Sequence, residues 1–190
     1  MAVLGCVIHG CFVPKCNERN GHMNLWEQLF AMLEEAFGEL GIEHKMIDGV
    51  EAPQIGNTLL AFLPVADEAD QRVLLEIALA ELGEGMLFLQ FYSTVVFECV
   101  QSPDVLLEAI NTVNFYCPVG SFGIFSEQGN MYHKYCLLID TEDSVESIFE
   151  NALMAFHAIH SILSLRAPLL AKLALGDIDV ETAEQQGLFN

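Results

Sequence analysis

Three cysteines, Cys6, Cys11 and Cys16, recur at five-residue intervals near the start of the chain, with His9 among them and His22 just after. Thiolates and imidazoles at such spacing are the donors of zinc sites, and paired cysteines can also cycle between thiol and disulfide. Four intervening residues is the loose end of zinc-site spacing, and no second pair follows at a fixed offset. A second candidate is His157 and His160 in "HAIH", three apart on one helix, with Glu146 and Glu150 on the His157 side. Without a further His/Asp cluster, the simpler reading puts His157 on a solvated face and His160 at the edge of an apolar stripe. No metal and no cofactor is therefore expected. The alternative is a metal-binding or thiol-redox protein that uses Cys6, His9, Cys11 and Cys16.

The run "AINTVNFYCPVGSFGIFSEQGN", residues 109–130, gathers Asn111, Asn114, Cys117, Pro118 and three glycines. Polar side chains, a thiol and glycines close together suit an active-site loop. They suit equally a helix that ends, re-enters a strand and turns in a hairpin. Ser102-Pro103 opens the helix, since Ser caps and Pro tolerates the first turn. Pro118 forbids continuation, Gly120 and Gly123 serve the re-entry, and "SEQGN" is the hairpin turn. Asn114, near the helix end, is expected to satisfy loose carbonyls there. Other catalytic patterns are missing: no phosphate-cradling glycine loop with a following Lys, no nucleophile elbow, no dinucleotide fingerprint. The chain reads as a protein that is not an enzyme.

The elements around these residues follow from periodicity. "NLWEQLFAMLEEAFGELG" is an amphipathic helix, with Asn24 as its cap and Gly41 as its stop. After the turn-rich "KMIDGVEAPQIGN" come three strands: Thr58 to Val65, Arg72 to Leu82 and Gly85 to Val100. The leucine and alanine of the second also suit a helix, but its short length between "DEADQ" and "GEG" favours a strand. The third is rich in aromatic and β-branched residues and apolar on both alternating faces. "MYHKYCLLID" is the strand returning from the hairpin. A last helix runs from about Ser144 to Leu165, with Pro168 just beyond it. Residues 1–22 then form an arm, 23–166 the domain and 167–190 an extension.

Composition restricts the partners. Asp and Glu number 27 against 7 Lys and Arg, a formal net charge of −20. Nucleic acid and anionic membranes are repelled, because binding either depends on basic residues. An acidic surface instead steers basic or amphipathic polypeptides. Hydrophobic residues make up 53% of the chain, yet no uninterrupted apolar run approaches the ~18 residues that cross a bilayer. Surplus apolar surface points to an oligomer, most simply a homodimer. The start "MAVLGCVIHGC" has no basic n-region or sustained apolar stretch, so a cytoplasmic protein with reduced thiols is expected.

The order helix, three strands, helix, two strands, helix resembles the YbjN family and the wider group sharing the type III secretion chaperone fold. The resemblance covers roughly residues 24–165. It is most specific in the helix ending "INTVN", the glycine-containing strand, the "SEQGN" hairpin, the hydrophobic strand and the long helix that follows. It implies a two-layer α+β domain, a five-stranded, mainly antiparallel sheet with helices against it. It also implies action by binding polypeptides, and YbjN-like members are described as regulators of sensory transduction. The expected function is a non-enzymatic protein-binding module, chaperone-like or regulatory, that takes an amphipathic segment of a partner. Val73, Leu75, Ile77, Phe88, Phe91 and Val95, on the two central strands, are the candidate partner-binding residues.

Overall fold

The computed structural model describes residues 25–47, 57–65, 71–81, 87–125, 129–140 and 142–189. Cys6, His9, Cys11, Cys16, His22 and the expected cap Asn24 lie outside the described residues.

Helix α1 (Leu25–Glu39) buries the stripe Leu29, Phe30, Leu33 and Phe37. It stops where its sequence says it should. Gly41 takes a left-handed φ of 68°, and the Ile42 N–H reaches back to the Phe37 carbonyl at 2.9 Å. Strands β1 (Glu43–Ile47), β2 (Thr58–Pro64), β3 (Arg72–Glu81) and β4 (Leu87–Val96) follow, then α2 (Pro103–Tyr116), β5 (Ser121–Phe125) and β6 (Asn130–Ile139). The long helix α3 (Val145–Leu175) and the short α4 (Val180–Gln185) complete the order. All strand pairs are antiparallel in one sheet of order β1-β2-β3-β4-β6-β5. The chain is thus α+β, with helices on the sheet, as expected, but among the described residues the sheet has six strands rather than five.

The additional strand is β1, in a stretch that reads as turn. Its neighbours explain it. Met46 stands opposite Leu59 and His44 opposite Ala61, so the short segment completes the apolar face of β2.

Strand register assigns the faces. Leu59, Ala61 and Leu63 on β2, Val73, Leu75 and Ile77 on β3, and Leu89 and Phe91 on β4 share one face and are buried. They join the buried sides of α1, α2 and α3 in one core. Removal of such side chains from water contributes about 1.5–3 kcal/mol each, which makes this layer the main source of stability.

Helix α3 corrects the expected end at Leu165. It passes through Pro168 and ends at Leu175, ten residues beyond the expected end. A proline inside a helix removes one hydrogen bond and crowds the preceding turn. Here the loss is offset, because Ala167, Leu170, Ala171, Leu173 and Ala174 are all buried. The final turn is also closed by Gly176 at φ 79°, with the Asp177 N–H on the Lys172 carbonyl at 2.9 Å. The expected boundary at residue 166 therefore falls within one helix. Beyond it, α4 is capped by the Asp179 carboxylate, which accepts from the Thr182 N–H at 2.8 Å. Arg166 donates to the carbonyls of Gly187 (3.0 Å) and Leu188 (2.6 Å), fixing the tail against α3. By length and composition α3 could also cross a membrane, but here its apolar side lies on the sheet.

Candidate functional surfaces

The run 109–130 is built around the edge strand β5. Asn114 does not serve its own helix end. Its Nδ2 donates to the Phe122 carbonyl at 2.9 Å and its Oδ1 accepts from the Phe122 N–H at 2.7 Å. One carboxamide thus behaves towards β5 as a neighbouring strand would. The signal missing from the sequence is the pairing: Asn114 and Phe122 lie eight positions apart, and the turn between them must fold back before the pair can form.

The turn between them holds a thiol and an imidazole. The Cys117 Sγ donates to the Val119 carbonyl at 3.2 Å, and His133 Nε2 donates to the same oxygen at 3.0 Å. Gly120 sits at φ 70°, and a Cβ there would stand 2.5 Å from His133 Nε2, so only glycine lets the turn close on the ring. Burial pushes the Cys117 thiol up, and the Val119 bond and the Arg166 charge offset that only in part. Burial likewise lowers the His133 pKa, so the ring is neutral. A nucleophile–base pair needs the thiol to donate to the imidazole and to be held as thiolate. Here both groups donate to a backbone carbonyl instead. The arrangement does the work of a junction.

The histidines of α3 have structural settings. His160 Nε2 donates to the Pro64 carbonyl at 2.9 Å and its ring stacks on Phe156, while His157 is exposed. This is the edge-and-solvent placement read from the sequence.

Of the candidate partner-binding residues, Val73, Leu75, Ile77 and Phe91 are sealed beneath the helices, at most 2% exposed. Val95 is half-buried beside the β-bulge of β4, and Phe88 lies on the opposite sheet face. Alternation gives each strand's two faces but not which one the helices cover, and Val73, Leu75, Ile77 and Phe91 lie on the covered face.

No described helix packs on that opposite face. Its rim exposes Phe62, Phe125 and Leu138. Its middle is closed, with Ala78, Gln90, Tyr92 and Thr94 buried and Tyr92 stacked on Tyr132 at 5.2 Å. Glu76 stands in this face between Leu60 and Tyr92, and burial raises its pKa.

The outer side of α2 differs. Leu107, Asn111 and Phe115 recur every four residues along it, beside Asp104 and Glu108, and all are exposed. Phe115 is 81% exposed and meets Tyr116 edge-on at 5.0 Å. Val100, just before the helix, is 75% exposed. An exposed aromatic pair rimmed by acids thus lies on the surface rather than in the core.

No protein-family model matches the chain, and no curated protein matches it.

Proposed function

We propose that the chain is a non-enzymatic protein-binding module, chaperone-like or regulatory, that receives a basic amphipathic segment of a partner polypeptide on the outer side of α2. The observation that carries the reading is the exposed Phe115–Tyr116 pair in line with Leu107, flanked by Asp104 and Glu108. Exposed aromatics supply most of the energy at protein contacts, and acids at the rim select and steer a basic partner. A net charge of −20 acts in the same sense. The resemblance to YbjN-like and type III secretion chaperone-like proteins supports the same class of function. The candidate surface thereby moves from the central strands to α2.

The test is affinity capture from native extract with the full chain and with a Phe115→Ser, Tyr116→Ser double variant. One reproducible partner retained by the first and lost by the second, at an unchanged melting temperature, is the expected result. Equal capture by both, or capture of nothing by either, overturns the proposal.

A further inference from the structure

The outermost strands of the sheet are β5 and β1, and their free sides are finished differently. Along β5, Asn114 occupies the backbone of Phe122. Along β1, the described residues offer backbone partners from β2 alone. A row of backbone donors and acceptors at a sheet edge is a template for another strand. The side chains of β1 say which strand.

We infer that the occupant is β1 of a second copy, running antiparallel about a two-fold axis at His44, so that the six strands of each copy join in one sheet. A two-fold contact pairs each residue with its mirror position, so the centre of symmetry fixes every pair. Centred on Lys45, the contact sets Lys45 against Lys45. Centred on Glu43, it sets Glu43 against Glu43. Like charges directly opposite destabilise a strand pair. Centred on His44, Glu43 of each copy faces Lys45 of the other, twice, and Ile42 faces Met46, twice.

The faces agree with this pairing. Glu43 and Lys45 point to the sheet face away from the helices, while His44 and Met46 lie on the helix side. Both charged residues are exposed, and Arg72 takes only the Oε2 of Glu43, at 2.7 Å. Charge complementarity therefore selects one register, and the same two residues reject its neighbours.

The contact is small. Five residues per strand fall short of the roughly 1,200–2,000 Å² of a standard interface, so the dimer separates on dilution. The charge of −20 on each copy opposes association as well, and the measurement belongs at fixed, moderate ionic strength. The inference gives a place to the homodimer expected from composition. It is independent of the α2 surface, which lies at the other edge of the sheet.

Sedimentation equilibrium of the full chain across a concentration series tests it, with Glu43→Lys, Lys45→Glu and the exchanged pair E43K/K45E. The wild type is expected to dimerise, each single variant to weaken the dimer about tenfold or more, and the exchanged pair to return close to wild type, since about 1.4 kcal/mol corresponds to each tenfold step. A chain that stays monomeric at every concentration overturns the inference and leaves Lys45 as a charge that guards the edge. Single variants that dimerise like wild type, or an exchanged pair no better than the singles, overturn it too. Amide exchange provides a readout that needs no variant. Residues 43–47 must gain protection as concentration rises, and protection gained elsewhere but not there refutes the pairing.

Discussion

Side-chain hydrogen bonds from α2 and β6 hold the β5 side of the sheet, whereas the β1 side rests on its ladder to β2, its packing against α1 and one exposed ion pair. Asn114 bonds both backbone groups of Phe122, and His133 braces the turn that leads into the strand. At the other edge, Arg72 and Glu43 meet at 2.7 Å with side chains 49% and 68% exposed. A polar contact inside a protein matters chiefly through what is stranded when it goes; a contact in water strands nothing. The same short distance therefore carries different weight at the two edges.

The largest way to break that contrast is Asn114→Ala. It leaves the Phe122 N–H and carbonyl without their partners, and a loss of about 2–4 kcal/mol is expected from two stranded groups. Urea denaturation reads it, with faster exchange of the Phe122 amide as the local sign. A midpoint within error of wild type would mean that α2 alone secures β5.

His133 sharpens the comparison through pH. Burial holds its folded pKa below the ordinary value, so the unfolded chain takes up a proton first as pH falls. The stability associated with neutral His133 is complete above about pH 6.5 and is lost progressively below it, down to the folded-state value. Melting temperatures of wild type and His133→Gln should diverge above this range and converge below it. Parallel curves would count against a buried neutral ring. The smallest effect belongs to β1. Arg72→Ala should cost about 0.5 kcal/mol or less, a loss further reduced by salt. A cost near that of Asn114→Ala would remove the distinction between the edges.

What the sequence disclosed depended on how local each signal is. The stripe of α1 with Gly41 after it, the start of α2 at Ser102-Pro103 and the aromatic run of β4 are written within single elements, and the structure has them, although the Ser102 side chain makes no capping bond. β1 is not, because "EHKMI" becomes strand only beside β2. The passage of α3 through Pro168 was hidden in the same way: the proline is local, while the burial of Ala167, Leu170 and Ala174 that offsets it is tertiary. The left-handed Gly176 marks the true end. The placement of the candidate contact residues turns on a related point. Val73 and Phe91 have the chemistry of a sticky surface, and so does any core. Exposure distinguishes the two, and exposure is a property of the assembled layers.

The late end of α3, at Leu175, bears on how the chain is made. The amides of Val100 and Gln101 both bind the carbonyl of Ala174, at 2.9 and 3.0 Å, near the far end of α3. Ribosomes supply roughly 5–20 residues per second, so β1 to β4 emerge several seconds before α3, the last helix to complete their cover. Through that interval the nascent sheet offers Leu59, Leu75, Ile77 and Phe91 to whatever holdase waits at the exit tunnel. A chain broken off before α3 lacks the helix that packs on β4 and β6, and premature termination there should yield an aggregating product rather than a shortened working one.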